Sequence, residues 1–459
     1  MLRVGSGAGG MKPATGTGGT DRATAAAFTA EDVELLDRLQ WETFEYFLRE
    51  VEPSNGLIAD KTRADWPASI AATGLALASY PIGVERGYLS REEAAARTLT
   101  TLRFFHDSPQ GPEPDATGYK GFYYHFLDMR TGRRAWRCEL STVDTAFLLA
   151  GALTAGLYFE GDTVEESAIR DLAEALYGRA DWHWALNGGA TVSHGWKPER
   201  GFLRWRWEGY DEALLLYVLA LGSPTSPIPK ECYAAWLSTY SWKTIYGREL
   251  IYAGPLFIHQ LSHLWIDFRG LHDDFLRGKG RSLDYFENSR RATHVQREYA
   301  IRNPREFVGY GEACWGITAS DGPGPLTLRI EGVQRKCHDY VARGVPFGPD
   351  DGTLAPWAVV ASLPFAPEVV LPTVRHFAEN LHLERAETYG FKATFNPTFP
   401  AGGESAHGWV SPWNFGLNQG PIVMSIENVR TGLLWRLMQK SPHVLRGLRR
   451  AGFEGGWLE

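Results

Sequence analysis

The sequence predicts an all-α protein in which hairpins of helices close into a ring, an (α/α) toroid. Three observations support this fold class. Apolar residues recur at helical spacing along most of the 459 residues, strand-like runs are few and short, and no change in composition marks a linker between domains. A solenoid of stacked helical repeats is the alternative, but no motif recurs at a fixed period.

The predicted elements begin with a helix at 29–51, where Thr29 and Asp32 can form a capping box ahead of a helical apolar pattern. Loops rich in Gly, Pro, Trp and His separate the later helices. These are predicted near 66–80, 90–106, 141–158, 163–177, 210–221, 229–238, 284–302, 352–363, 367–380 and 420–439. Residues 1–28 are rich in Gly, Ala and Thr and are predicted to be a disordered tail, which leaves 29–459 as a single domain.

The composition argues against several classes of partner. The net charge of −7 comes from acids and bases scattered along the chain, which argues against nucleic acid or an anionic membrane. The four cysteines lie far apart and form no CxxC pair, so neither a zinc knuckle nor a disulfide framework is predicted. No apolar segment has the length of a signal peptide or of a membrane span, so we expect a soluble, cytoplasmic chain unless a leader has been removed.

Aromatic residues are unusually abundant, with 17 Trp, 19 Tyr and 23 Phe. Many stand beside Gly, Asp, Arg or His rather than inside apolar runs. Some are explained as large core residues with one polar atom to satisfy. Rings in polar surroundings also suit the faces of sugars, so the sequence indicates a carbohydrate ligand.

Two carboxylates precede the apolar run of WRCELSTVDTAFLLAG, residues 136–151. Ser141 can cap the helix, and Asp144 can complete a capping box, which is the ordinary reason for an acid at that place. Glu139 lies before the cap and has no such role. The positive end of the helix favours an ionised carboxylate there, a condition that suits a general base.

A second group of acids and rings precedes the helix of FLRWRWEGYDEALLLYVLALGSP, residues 202–224. It comprises Trp205, Trp207, Glu208, Tyr210, Asp211 and Glu212. In a toroid the loops that enter the inner helices gather at one mouth, so acids at two such entrances can face each other across a cleft. A glycosidase needs this geometry, with one carboxylic acid to protonate the leaving oxygen and one carboxylate to activate water or attack.

The stretch IHQLSHLWIDFRGLHDDF, residues 258–275, places His259 and His263 four residues apart. This spacing can bind a metal, but the glutamate of H-E-x-x-H is missing. We therefore interpret the pair as one face of an amphipathic helix and predict no metal site.

The stretch YGEACWGITASDGPG, residues 310–324, combines Glu312, Trp315 and Asp321 with several glycines. Flexible loops of this composition often form binding sites. A tight turn capped by Asp321 is an equally good interpretation.

Several long motifs follow one another between about residues 35 and 440. They are GLIADK, GFYYHFLDMRTGRRAW with ELSTVDTAFLLAG, GYDEALLLYVLALGSPTSPI, SHLWIDFRGLHDDF, DYFENSRRAT, YGEACWGITASDGP and GLNQGPIVMSIENVRTGLLWRL. With these motifs the chain resembles the glucoamylase-like family that includes bacterial β-1,2-glucanases, glycoside hydrolase family 144. The resemblance implies an (α/α)₆ barrel, hydrolysis of β-1,2-linked glucan or its oligosaccharides with anomeric inversion, and no metal or organic cofactor. It also singles out Glu212, Glu139 and Asp144 as the catalytic candidates.

We therefore expect a β-1,2-glucan hydrolase with Glu212 near the glycosidic oxygen and Glu139 or Asp144 on the water side. The predicted substrate-binding residues, as rings that wall the glucosyl subsites or polar groups that bond hydroxyls, are Phe122, Tyr123, His125, Trp136, Trp205, Arg206, Tyr210, Trp265, Arg269, His272, Arg290, Glu312 and Trp315. The alternatives are another (α/α)-barrel enzyme, either a phosphorylase or a lyase, and a non-catalytic glucan-binding protein, which would tolerate loss of the acids.

Overall fold

The computed structural model describes residues 28–280, 283–383, 389–400 and 408–459. It is rich in helix, as the sequence predicts. The predicted tail, 1–28, lies outside the described residues except for Phe28. None of the described helices combines the length and the apolar character needed to cross a membrane.

The helices occupy most of the positions predicted from helical spacing. Their bounds are α1 Ala30–Arg49, α2 Ile70–Glu85, α3 Arg91–Asp107, α4 Thr142–Tyr158, α5 Val164–Arg179, α6 Trp182–Ala185, α7 Leu214–Gly222, α8 Glu231–Leu237, α9 Asp274–Gly278, α10 Tyr285–Arg302, α11 Pro356–Val360, α12 Pro367–Arg375, α13 Gly416–Thr431, α14 Leu433–Gln439 and α15 Pro442–Arg450. The capping box predicted for the first helix is present between Thr29 and Asp32. The helix predicted at 420–439 is two helices, because Gly432 adopts a left-handed φ of 65° that ends α13.

The described strands are short, as predicted, and two of them, β1 and β5, lie directly before helices. Their bounds are β1 Ala68–Ser69, β2 Gly118–Tyr119, β3 Phe122–Tyr124, β4 Phe126–Leu127, β5 Leu140–Ser141, β6 Gly195–Lys197, β7 Gly201–Phe202, β8 Trp242–Ile245, β9 Arg248–Ile251, β10 Ala319–Ser320, β11 Leu326–Ile330, β12 Val333–Cys337, β13 Val341–Ala342, β14 Phe395–Asn396 and β15 Trp409–Val410. An antiparallel sheet has the order β2-β3-β5-β6-β7. The sequence does not predict the hairpins β8–β9 and β11–β12.

Buried and half-exposed helices alternate along the described chain. Helices α2, α4, α7, α11 and α13 are buried on nearly all sides. Helices α1, α3, α5, α8, α10 and α12 each bury one face and expose the other. The buried helices pack against one another in the spatial order α7, α4, α2, α13 and α11. The long apolar runs are therefore the inner helices, because only a helix surrounded by protein can be apolar on all sides.

The two longest neighbouring inner helices, α2 and α4, approach closely at a pair of glycines. A Cβ on Gly74 would lie 2.4 Å from the Phe147 carbonyl oxygen, and one on Gly151 would lie 2.0 Å from the Gly74 carbonyl oxygen. Both distances are shorter than any real contact, so only glycine fits at this crossing. The crossing fixes the position of α4, whose first turn carries Asp144.

Strands lead directly into the two helices of this pair. β1 ends at Ser69, which caps α2, and β5 ends at Ser141, which caps α4. β1 pairs with β4, and β5 lies between β3 and β6. The sheets therefore hold the N-terminal ends of these inner helices at one side of the molecule.

Candidate active site

A pocket of about 350 Å³ opens where the first turns of the inner helices meet. Part of its wall comes from the starts of α4, α11 and α13 and from Glu212 before α7. Another part comes from residues that flank the strands of the five-stranded sheet. The lining residues are His125, Glu139, Ser141, Val143, Asp144, Phe147, His194, Leu203, Trp207, Glu212, Phe257, Leu261, Ala319, Tyr340, Ala342, Trp357 and Leu417. The structure thus brings the three catalytic candidates, Glu139, Asp144 and Glu212, into one pocket.

Strand pairing places Glu139 beside His125. Glu139 immediately precedes β5, and His125 lies between β3 and β4. The His125 amide donates to the Glu139 carbonyl oxygen at 3.0 Å, which extends the antiparallel ladder by one bond. The two side chains then meet, with His125 Nδ1 2.9 Å from Glu139 Oε1.

The His125 ring lies between two carboxylates. Its Nδ1 faces Glu139, and its Nε2 is 3.6 Å from Asp144 Oδ2. Burial lowers the pKa of His125, but the charges of Asp144, Glu139 and Asp60 outweigh it and raise this pKa to about 9. Burial would raise the pKa of Glu139, but the hydrogen bond and charge of His125 lower it to about 2. At neutral pH the site therefore contains an imidazolium that stabilises the neighbouring negative charge.

Asp144 is not the capping-box partner that its position suggests. The Ser141 hydroxyl caps α4 by accepting from the Asp144 amide at 3.3 Å. The Asp144 carboxylate accepts from the Ser141 hydroxyl at 2.5 Å and does not accept from the Ser141 amide. A capping box needs that second bond to the backbone. The carboxylate instead lines the pocket and faces His125.

Glu212 stands across the pocket, two residues before α7. Burial and the negative charge of Asp144 raise its pKa to about 7. α7 has no cap from its own N-terminal residue, but the Ser262 hydroxyl accepts from the Leu215 amide at 3.1 Å. Ser262 thus supplies the missing cap from another segment and fixes the helix entrance that carries Glu212.

Comparison with known proteins shows the family to which this chain belongs. Residues 204–442 match the family model described as "Putative glucoamylase". A crystal structure of a "putative glucoamylase" from Bacteroides uniformis is 32% identical, with a TM-score of 0.81 over 94% of this chain and 100% of that one. The chain belongs to this glucoamylase-like family.

Two further relatives share the family fold. The endo-β-1,2-glucanase of Chitinophaga pinensis, in a complex with sophorotriose and glucose, is 26% identical, with a TM-score of 0.79 over 94% of this chain and 100% of that one. The exo-β-1,2-glucooligosaccharide sophorohydrolase of Parabacteroides distasonis is 29% identical over 93% of this chain. The present chain spans 59% of the length of that sophorohydrolase. The family suggested by the sequence motifs is confirmed.

Five rings predicted to wall the sugar subsites are instead buried in the core. They are Phe122, Tyr123, Tyr210, Trp265 and Trp315. Each packs on other rings or uses its polar atom in a hydrogen bond within the protein. For example, Trp265 stacks on Phe147 with 5.7 Å between centroids, and the Trp315 indole donates to Thr373 Oγ1 at 2.9 Å. The prediction for these five is corrected, because a ring packed inside the core has no open face for a sugar.

The remaining three of these five rings also contact other core residues. Phe122 meets Trp182 edge to face, and the Tyr123 hydroxyl donates to the Phe105 carbonyl oxygen at 2.9 Å. Tyr210 stacks on Tyr285 with 5.7 Å between centroids. These contacts connect strand β3 and the segment before α7 to helices α3, α6 and α10, so the rings stabilise the fold around the pocket.

The polar residues predicted to bond hydroxyls, other than His125, also have structural partners. Arg206 donates to the carbonyl oxygens of Leu186 and Thr191, Arg269 pairs with Asp267 at 2.6 Å, Arg290 pairs with Glu368 at 2.9 Å, Glu312 pairs with Arg297, and the backbone of His272 pairs with that of Glu454. None of the five lines the pocket as described. The 310–324 stretch reaches the pocket through Ala319 instead.

Two predicted rings remain exposed. Trp205 is 59% exposed, and the Arg204 guanidinium covers one face at 4.3 Å from the ring centroid. Trp136 is 55% exposed and lies beside Trp66 and Phe126. Phe126 in turn stacks on His125 with 4.0 Å between centroids. Trp136 therefore lies at the rim of the pocket rather than inside it.

The paired histidines of the 258–275 stretch are core residues. The segment is not the predicted amphipathic helix but two 3₁₀ turns, Leu256–His259 and Leu261–Leu264. Burial lowers the pKa of His259 to about 4 and that of His263 to about 3, so both rings are neutral. His259 hydrogen-bonds the Ala253 carbonyl oxygen, and His263 bonds Ser289. The described residues contain no cluster of three or more His, Cys, Asp or Glu side chains suited to a metal ion.

The sequence did not single out three residues of the site. Asp60 accepts from the Trp66 indole at 3.0 Å, burial raises its pKa, and its charge acts on His125. His194 stacks on Trp207 with 3.7 Å between centroids, and Tyr340 lines the pocket from the loop after β12. Asp60 stands in the GLIADK motif shared with the family, so that motif contained a usable signal. Tyr340 comes from the loop that follows the β11–β12 hairpin, which helical spacing cannot predict.

Proposed function

We propose that this protein is a glycoside hydrolase that cleaves β-1,2-linked glucan by general acid and general base catalysis. The observation that carries the proposal is that one pocket holds carboxyls of opposite character. Glu212 has a pKa of about 7, whereas Glu139 has a pKa of about 2 beside the charged His125. A glycosidase needs one carboxyl kept protonated in a pocket whose other carboxyls are ionised.

Glu212 supplies the acid in this mechanism. With a pKa near 7 it is substantially protonated at neutral pH, where an ordinary glutamate is ionised. Its proton passes to the glycosidic oxygen as the bond from that oxygen to the anomeric carbon breaks. The Glu212 carboxylate that remains is regenerated by a proton from solvent.

Asp144 is the proposed base on the water side. A water oxygen adds to the anomeric carbon from the opposite face, and its proton passes to Asp144, which gives inversion. Glu139 is the poorer candidate because its direct bond to His125 and its pKa of about 2 make it a weak proton acceptor. The charge of Asp144 also contributes to the raised pKa of Glu212, so it helps to keep the acid protonated.

A neutral sugar fits the pocket better than a charged one. The lining residues that the structure describes include three carboxyls and no lysine or arginine. A phosphorylase needs a cationic phosphate site, and an enzyme acting on uronic acids would bring a negative charge beside these carboxyls. The β-1,2 linkage is supported by the relatives named as β-1,2-glucanase and β-1,2-glucooligosaccharide sophorohydrolase.

We also propose that the helices form an (α/α)₆ toroid and that 29–459 is one catalytic domain. The alternation of inner and outer helices supports this arrangement, provided that the buried 3₁₀ pair at 256–264 takes the place of one inner helix. Under this proposal the N-terminal ends of the inner segments surround the pocket. The substrate then binds at one mouth of the ring.

The proposal is tested by incubating the purified protein with linear β-1,2-glucan, β-1,3-glucan and β-1,4-glucan. We expect reducing ends to be released from the β-1,2-linked chain alone. Release from another linkage but not from this one would refute the substrate assignment. Binding of the β-1,2-glucan without any release would favour the non-catalytic alternative.

The His125 side chain gives a prediction about pH dependence. We expect His125→Asn to keep a hydrogen bond to Glu139 but remove the positive charge that Glu139, Asp144 and Asp60 face. An adjacent cation favours ionised carboxylates, so its loss makes the negative charge on the water side of the site less favourable. The acid limb of the kcat/KM profile should therefore move to higher pH, while the alkaline limb, set by Glu212, stays near pH 7.

His194→Asn is the matched control for this prediction. His194 also lines the pocket, but burial lowers its pKa, so its removal leaves the charge of the site unchanged. Its acid limb should stay in place. If His125→Asn lowers activity by the same factor at every pH, the histidine has only a structural role.

A further inference from the structure

Trp136 is a large ring exposed at the rim of the pocket. Its exposed fraction is 55%, although it contacts Trp66 at 4.6 Å and Phe126 at 5.1 Å between centroids. Phe126 stacks directly on His125. One ring therefore separates Trp136 from His125, which faces Glu139 and Asp144 in the pocket.

The backbone at Trp136 has a conformation that bulky residues avoid. Trp136 has a φ of 51° and the next residue, Arg137, has a φ of 53°. Left-handed values favour glycine, and a bulky side chain at this φ is a true outlier. Two in succession require that the surrounding structure hold them, and such strain concentrates at functional sites.

Two cationic side chains hold the strained segment in place. The Arg137 carbonyl oxygen accepts from Arg134 Nη2 at 2.8 Å and from Lys197 Nζ at 3.1 Å. Arg134 Nε also donates to the Cys138 carbonyl oxygen at 2.6 Å. The Arg134 side chain is only 1% exposed and pairs with Glu199 at 2.7 Å. The segment is therefore fixed, and its rigidity keeps the Trp136 ring exposed in one orientation.

Trp66 extends the aromatic surface toward the acids. It meets Trp136 at an interplanar angle of 72°, and its indole donates to Asp60. Lys61 Nζ lies 4.1 Å from the Trp66 centroid and 5.0 Å from that of Phe415. A sugar packs its apolar C–H face on an aromatic ring, and its hydroxyls accept hydrogen bonds from a donor beside that ring. An exposed ring flanked by a hydrogen-bond donor is therefore suited to bind a sugar.

We propose that Trp136, supported by Trp66, is a platform that binds a glucosyl unit of the glucan outside the catalytic pocket. This inference rests on the proposed function, because its ligand is the chain that enters that pocket. The platform is continuous with the pocket through Phe126 and His125, so a single chain can occupy both. It favours long glucan over oligosaccharides that occupy the pocket alone, because only a chain that extends outside the pocket contacts the ring.

Trp136→Gly tests the platform without adding strain. Glycine adopts a positive φ freely, so the relief of strain offsets part of the packing lost on Trp66 and Phe126, and the protein should stay folded. We expect the ratio of kcat/KM for long β-1,2-glucan to that for the β-1,2-linked trisaccharide to fall about 10-fold, the loss expected when one sugar face no longer packs on a ring. Trp136→Tyr, which keeps an aromatic face, should recover most of the ratio.

Trp41→Ala is the control, since Trp41 is an exposed tryptophan that packs on Tyr88 from outer helix α1. It should leave the ratio unchanged. An unchanged ratio in a folded Trp136→Gly protein would overturn the platform. If the wild type hydrolyses neither substrate, the proposed function fails instead; the platform is then judged by retention in gels containing β-1,2-glucan, where Trp136→Gly should bind less than wild type and equal retention overturns it.

Discussion

Glu212→Gln should remove nearly all hydrolysis while leaving the fold intact. General acid catalysis contributes roughly 10²–10⁴-fold, and an amide cannot donate the required proton. The substitution has nearly the same shape and removes a carboxyl whose pKa burial already raises, so the melting temperature should not fall. The measurements are initial rates on β-1,2-glucan and a thermal melt.

Glu208→Gln is the matched control, because Glu208 is an exposed carboxylate at the same helix entrance and accepts from Thr191 Oγ1 at 3.0 Å. Its rate should stay within a few-fold of wild type. Glu212 would lose its role as the acid if Glu212→Gln retained a comparable rate.

Asp144→Asn should reduce turnover by a factor of similar size. An amide cannot accept the proton of the attacking water, so the base side of the mechanism fails. If Asp144 served only the helix cap, the change would instead cost about 0.5–2 kcal/mol of stability and leave turnover nearly unchanged. The structure favours the first outcome, because the cap of α4 is made by the Ser141 hydroxyl and the Asp144 carboxylate lines the pocket.

Glu93→Ala separates the two effects by removing a true capping partner. Glu93 and Ser90 form a complete capping box at the start of α3, on an exposed surface. This variant should lose stability and keep full turnover, the reverse of Asp144→Asn. Equal losses of stability in both variants, with normal rates, would return Asp144 to the role of a cap.

The inner helices and their acidic entrances could be predicted because they depend on local sequence. A run such as 142–158 is apolar on every side, so it must be an inner helix, and an acid just before it lies at the helix entrance. The sequence predicted that acids at two such entrances face each other across a cleft. Glu139, Asp144 and Glu212 indeed line one pocket. The capping-box interpretation of Asp144 failed because spacing does not show which hydrogen bond a carboxylate makes.

Which of the aromatic rings are buried and which are exposed could not be predicted, because burial depends on contacts between residues distant in sequence. Trp265 and Trp136 both stand among polar residues, yet Trp265 stacks inside the core and Trp136 is exposed. The pairing of His125 with Glu139 likewise depends on strands too short for the apolar pattern to reveal. The two 3₁₀ turns at 256–264 resemble a helix in spacing but differ from it in backbone.

Proton NMR of the reaction with linear β-1,2-glucan follows both the bond that breaks and the anomer that forms. We expect the β-1,2 linkage signals to be lost in the presence of the wild-type protein, with the α-anomer appearing first at the new reducing end. An acid and base separated by roughly 6.5–9.5 Å give this inversion, whereas a pair at about 5–5.5 Å gives retention. First release of the β-anomer would contradict the role of Asp144 as the base that activates the attacking water. An unchanged glucan would contradict the proposal that this protein hydrolyses β-1,2-glucan.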